Sequence, residues 1–279
     1  MALDLSCVGV TTEPTRHAYA WKDVALYALG VGATHNELDY LYEGRGPKVL
    51  PSFAVIPAWA ALLRAMAGAG VTFDNVVHGH QKVTVKGPLA PAATLLTTAR
   101  IEAVYDMKKM AQVVVRTETR DEDGAHRFDT EWGVIVLGAG GWGGEPPPAR
   151  EGSIPNRPAD FRVEAKTSPE QALLYRLMGD GNPLHADPDF ALVKDRFGGR
   201  PILHGLCTYG YMTRAVAQAV CGGDATRIRH LSARFTKPVW PGDTLVTEGW
   251  GEGPNVRLRT TTLERGEAVL SHCAAEVEV

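Results

Sequence analysis

Three pairs of landmark residues recur at one spacing: Arg64 and Arg214, Pro88 and Pro238, and Pro91 and Pro241 each lie 150 positions apart. A register kept this well over half a chain of 279 residues marks an internal duplication, and whatever fold one half adopts the other must also adopt. The matching blocks carry the same order of patterns. On the left, FAVIPAWAALLRAMAGAG is an apolar helical stretch rich in small residues, followed by QKVTVKGPLAPAATLLTTARIEAV; on the right, ILHGLCTYGYMTRAVAQAV precedes LSARFTKPVWPGDTLVTEGW. Each half then closes with alternating or β-branched runs, VVVRTET and EWGVIVLG against VRLRTTTLE and AVLSHCAAEVEV.

These patterns predict, in each half, one long helix buried all round and about four antiparallel strands, the strands joined by tight turns at DEDG (Asp121 to Gly124) and ERGE (Glu264 to Glu267). The fold class is therefore α+β, two repeats each of a curved sheet wrapped around a central helix. Between the halves, Gly138 to Phe161 is so rich in glycine and proline that it reads as a linker. The expected division is 1–137, a linker over 138–160, and 161–279. The linker glycines do not make a dinucleotide loop, which must open a helix; Pro146, Pro147 and Pro148 follow too soon.

A net charge of -3 gives no general reason to expect nucleic acid or an anionic membrane as a partner. The longest apolar stretch, Phe53 to Val71, is interrupted by Pro57 and Arg64, so no membrane segment is expected. Cys7, Cys207, Cys221 and Cys273 are scattered and form neither a disulfide framework nor a zinc spacing. With no signal peptide or peroxisomal address in view, the expected location is the cytoplasm.

One segment breaks the repeat. The first half carries ALYALGVGATH, Ala25 to His35, whereas the second half carries ALLYRLMGDGNPLH, Ala172 to His185; the aromatic, apolar and glycine skeleton is shared, but only the second copy holds Asp180, Asn182 and His185. Gly179, Gly181 and Pro183 deny this loop regular structure and permit a sharp, fixed path. A carboxylate and an imidazole at one point can orient a water and exchange protons with it, and Asn182 could hold either by hydrogen bonds. The helix beginning near HGLCT offers free N–H groups, here that of Gly205, to a developing negative charge. On residue types alone, other readings stay open: Asp180 as a turn cap with His185 as a satisfied polar residue, or a metal site of His185, Asp187 and Asp189.

The blocks YRLMGDGNPLHADP, GGRPILHGLCTYG and RFTKPVWPGDTL resemble the hydratase 2 family, the (R)-specific 2-enoyl-CoA hydratases related to MaoC-like proteins. YALGVGA, LYEG, VLPSFAVIP, VHGHQ and GAGGWGG extend the resemblance through the first half, as in the long members. The resemblance implies a double hot dog fold and addition of water across a trans-2-enoyl-CoA to give the (3R)-3-hydroxyacyl-CoA, without metal or cofactor. It implies Asp180 and His185 as the catalytic pair, with Asn182 in their pocket and the Gly205 N–H on the thioester oxygen. The first half, stripped of its polar groups, would accommodate medium to long or bulky acyl chains. His78, Gly79 and Phe235 match positions that contact ligand. The family often has a lysine directly after V-Y-D; here Met107 stands there, with Lys108 and Lys109 next, and Lys237, Arg234 and Arg229 are further candidates for the CoA phosphates. A homodimer and a separate dehydrogenase to take the product complete the expectations. Two alternatives remain: a hot dog thioesterase and a non-catalytic acyl-CoA-binding subunit.

Overall fold

The structure, a computed structural model, describes residues 3–72, 75–149 and 153–278. The first half runs β1 (Thr15–Tyr19), α1 (Trp21–Gly30), the single turn α2 (Leu38–Leu41) and α3 (Val55–Gly68), then β2 (Val76–Val85), β3 (Ala93–Asp106), β4 (Met110–Asp121) and β5 (His126–Leu137). The second half repeats the order with β6 (Phe161–Lys166), α4 (Gln171–Tyr175), α5 (Ala191–Phe197), α6 (Gly205–Val220), β7 (Ile228–Phe235), β8 (Thr244–Glu252), β9 (Asn255–Thr262) and β10 (Ala268–Val277). α3 and α6 begin 150 residues apart, at the repeat spacing. The strands β1 and β6, which precede the helices, were not expected from the alternation pattern; at five and six residues they are too short to show it.

The predicted turns close as their residues dictate. The Asp121 carboxylate accepts the Ala125 N–H at 2.8 Å and Gly124 takes φ +84, while Gly266, at φ +63, donates to the Thr262 carbonyl at 2.8 Å. Between β5 and β6 the described residues form no helix or strand. The start of that segment is pinned instead: the Asp106 carboxylate accepts the N–H groups of Lys108, Gly141 and Gly143 at 2.7–2.8 Å.

Among the described residues, ten strands form one sheet in the order β1-β3-β4-β5-β2-β7-β10-β9-β8-β6, which reads the same from either end under the repeat. The two halves therefore join edge to edge at β2 and β7, where Lys82 faces Ser232 and Val83 faces Leu231. Val83 and Leu231 are 1 % and 0 % exposed, so the seam itself is part of the core under the two helices.

α6 is buried from Leu206 to Ala217, as expected of a helix wrapped by sheet. α3 departs from that expectation, with Ala60, Arg64, Ala67 and Gly68 exposed. The difference comes from the segment after α1. Val31 lies over Gly210, and Glu37 pairs with Arg214, which also donates to the Val31 carbonyl at 3.2 Å. No such cover reaches Arg64, which donates to the Glu13 carbonyl at 3.2 Å instead. The stretch Pro51–Gly68 has the length and apolarity of a membrane span, but most of it is buried inside this fold.

Candidate active site

The loop after α4 uses most of its polar groups to hold its own shape. α4 continues through a 3-10 turn, Arg176–Met178, which Gly179 ends in the left-handed region at φ +111. Asp180 Oδ1 then accepts the Asn182 N–H at 3.2 Å, and Asn182 Oδ1 accepts the Leu184 N–H at 3.0 Å, capping the turn Pro183–His185 with proline in its first position. His185 Nδ1 lies 2.8 Å from the Ile202 carbonyl oxygen. That oxygen can only accept, so Nδ1 carries the proton and Nε2 keeps its lone pair. What remains unspent, among the described residues, is one carboxylate oxygen of Asp180, the amide nitrogen of Asn182 and Nε2 of His185.

Both groups line a cavity of about 280 Å³ together with Asn182, Gly205, Phe235 and His78. Polar atoms of Asp180, His185 and His204 lie within 4.8 Å of one another. Gly205 is the first residue of α6, so its N–H has no acceptor within the helix. The Phe235 ring rests against it so closely that a Cβ at position 205 would stand 3.0 Å from Phe235 Cδ1. His78 stacks on Trp132 at 5.4 Å and 15°, with Phe235 4.6 Å away on its other contact. The apolar wall draws on both halves, with Trp59, Leu62, Trp132 and Val134 from the first and Leu192, Phe197, Ile202 and Val239 from the second.

Burial sets the charge states here. It pushes the His185 imidazole below its ordinary value of 6.5, against an opposing pull from Asp180. His204 is pushed well below by burial and then by His185. Burial, and then the neighbouring His80, takes His78 down to about 3. The cavity at neutral pH thus holds uncharged imidazoles beside the Asp180 carboxyl group. A neutral imidazole with a free Nε2 can take a proton from water, a carboxyl group can exchange one, and a free helix N–H can hold an oxyanion.

Several residues singled out in the sequence do not reach the cavity. Gly79 sits at the bulge of β2, where the register slips between His78 and His80; a Cβ there would come 2.9 Å from Ile135 Cγ1, so close strand packing accounts for the glycine. Lys108 and Lys109 are exposed in the turn between β3 and β4, where Lys108 takes φ 67 and its N–H serves Asp106. Arg229 pairs with Glu278, and Arg234 stands opposite His80 in the strand register of the seam. Lys237 does line the cavity, and so does Arg196, which sequence reasoning passed over; both are exposed. Asp187 and Asp189 form no metal cluster with His185: the Asp187 carboxylate accepts the Asp189 N–H, and Asp189 pairs with Lys194. His204 is the other omission. It stands beside Gly205 in the HGLCT block, and nothing local in the sequence signals that its ring turns inward to lie 3.8 Å from that of His185.

Residues 17–138 match the MFE-2 hydratase 2 N-terminal domain, and residues 150–272 match the MaoC like domain. Over 92 % of its length the chain is 36 % identical to the peroxisomal enoyl-CoA hydratase 2 of Arabidopsis thaliana, covering 90 % of that protein. Over 91 % it is 41 % identical to the 3-hydroxyacyl-thioester dehydratase Y of Mycobacterium tuberculosis, covering 89 % of it. The crystal structure of a MaoC-like dehydratase from Phytophthora capsici superposes with a TM-score of 0.86 at 30 % identity, covering 99 % of this chain and 98 % of that one. Fold and cavity together define a double hot dog hydro-lyase that hydrates enoyl-CoA thioesters. The chain belongs to the hydratase 2 family of MaoC-like enzymes, in its two-repeat form.

Proposed function

We propose that this hydratase adds water to trans-2-enoyl-CoA in the (3R) sense, with Asp180 and His185 flanking the water. The observation that carries the reading is the free Nε2 of His185 beside Asp180 at the start of α6. The water oxygen bonds to C3 as the pair takes up a proton. The electrons of the double bond move toward the thioester oxygen, held on the Gly205 N–H, and the pair returns one proton to C2. Hydroxyl on C3 and hydrogen on C2 account for one whole water. Asn182 keeps the loop in place and faces the same cavity.

Arg196 and Lys237, exposed on the cavity lining, are the cations offered to the CoA phosphates. Trp59, Leu62, Trp132 and Val134 bound the space for the acyl chain, which supports medium to long or bulky substrates. The chain functions as a homodimer in this reading, and its product passes to a separate dehydrogenase. The latter is supported by a relative named peroxisomal hydratase-dehydrogenase-epimerase from Neurospora crassa, 36 % identical, of which this chain covers 31 %.

Purified protein is expected to deplete the enoyl-thioester absorbance of a trans-2-enoyl-CoA and to yield the R product on chiral analysis. Formation of the S product overturns the stereochemistry. Release of free thiol, read with a thiol reagent, in place of hydration makes the protein a thioesterase, and tight binding without turnover makes it a carrier.

A further inference from the structure

The chemistry above gives no part to His204, although it is the most enclosed polar side chain of the cavity. It is 1 % exposed, and among the described residues neither ring nitrogen makes a well-formed hydrogen bond, the nearest support being the Asp180 backbone carbonyl, which pulls its pKa up against burial. A buried polar ring held this weakly is unfavourable. Folding alone therefore gives little reason for a histidine at this place. The ring is held between Tyr175, at 4.9 Å, and His185, stacked at 3.8 Å and 28°. Its Nε2 is 4.0 Å from Asp180 Oδ2, about 1 Å beyond hydrogen-bonding distance.

A cation shared by Asp180, His185 and His204 does not suit this arrangement. Imidazole nitrogens bind a metal in the plane of the ring, and two planes this close to parallel meet well beyond coordination distance. A hydrogen bond suits it better. A neutral imidazole has one N–H to give, and a carboxylate only accepts. Asp180 Oδ1 is already tied to the Asn182 N–H, so a second tie at Oδ2 would fix the plane of the carboxylate at both ends.

Resting on the hydratase reading, we propose that His204 is a positioning residue: its Nε2–H donates to Asp180 Oδ2 once the thioester fills the cavity, turning the carboxylate toward the water. Catalytic hydrogen bonds are commonly long in an empty site and shorten in the substrate complex.

Two variants of the full chain test this. His204→Phe keeps the stack and removes the donor; kcat for enoyl-CoA hydration is expected to fall about 10- to 100-fold with KM changed less than about twofold. His204→Gln returns an N–H donor and is expected to recover most of kcat. A Phe variant as fast as the parent overturns the proposal, and so does a Gln variant as slow as Phe. A measurement on the unaltered protein guards against a variant that fails to fold. With ¹⁵N-labelled histidine, addition of a saturated acyl-CoA, which cannot be hydrated, should show His204 as the Nε2–H tautomer with that proton shifted downfield. The Nδ1–H tautomer, or no shift, refutes the hydrogen bond. Absence of hydration by the parent protein would instead refute the hydratase reading, and the tautomer would still be read independently.

Discussion

Lys82 stands opposite Ser232 across the β2–β7 seam, and the same two residues are equivalent positions of the 150-residue repeat. A pair both opposite and equivalent marks a local two-fold axis through the middle of the sheet. About that axis α3 answers to α6 and β5 to β10, yet Asp180 and His185 occur on one side only. The first-half segment that answers to the loop of Asp180 and His185 instead lies over α6, through Val31 and Glu37.

The pair itself is open to a direct test. Asp180→Asn keeps the size and the Oδ1 acceptor toward the Asn182 N–H but removes the ionisable oxygen. Hydration kcat is expected to fall by about 10² to 10⁴, with the urea midpoint little changed. Full activity in this variant would remove Asp180 from the mechanism.

His185 must be uncharged to accept a proton, and burial holds its pKa under the ordinary 6.5. Hence kcat/KM should stay level as pH falls through 6.5, with the acid limb lying below it. An acid limb centred above 6.5 contradicts the assignment.

Stability should follow the same histidines with a definite sign. His78, His185 and His204 all have folded values below 6.5, so between the folded and unfolded values the unfolded chain binds more protons. Their contribution is complete above pH 6.5 and is lost as pH falls toward each folded value, about 3 for His78. Each such histidine adds a slope of about 1.4 kcal/mol per pH unit. His78→Phe, which can still stack on Trp132, should flatten the dependence of the urea-unfolding free energy on pH by one such contribution. An unchanged slope would mean that His78 is charged in the fold.

The Glu37–Arg214 pair is largely enclosed, with side chains 17 % and 7 % exposed. Removing one partner strands the other, so Glu37→Gln should cost about 3 kcal/mol in chemical denaturation. Replacing both with leucine should recover much of the loss. A single variant within ~0.5 kcal/mol of the parent would show that the pair carries no such weight.

Gly210 is set by packing. A Cβ there would overlap Val31 Cγ1, so Gly210→Ala should destabilise by about 1–3 kcal/mol despite alanine's better helix propensity. Adding Val31→Ala should relieve it. If the double variant is no more stable than Gly210→Ala in a thermal melt, the overlap is not the cause.

The parts of this fold that local pattern encodes were legible: the repeat, the strand runs, the two turns, the helix start at Gly205 and the loop that presents Asp180 and His185. What escaped depends on residues far apart in sequence. The seam joining both halves into one sheet needs β2 and β7 to pair across about half the chain. The exposed side of α3 follows from where residues 31–37 go, which helix periodicity does not record. His204 was hidden by its neighbour, because HGLCT drew attention to the glycine and its N–H. Lys108 and Lys109 were considered because they follow the V-Y-D position of the resemblance, and they stand outside this cavity, whereas Arg196 enters through the path of α5.

The cavity takes Asp180, His185 and the Gly205 N–H from one repeat and apolar lining from both, Trp59, Leu62, Trp132 and Val134 from the first half and Leu192, Phe197, Ile202 and Val239 from the second. A substitution at Trp59, Leu62 or Val134 changes the shape of that space from a stretch of chain far from the loop of Asp180 and His185, so the cavity can be recut from one repeat while the other is left as it stands.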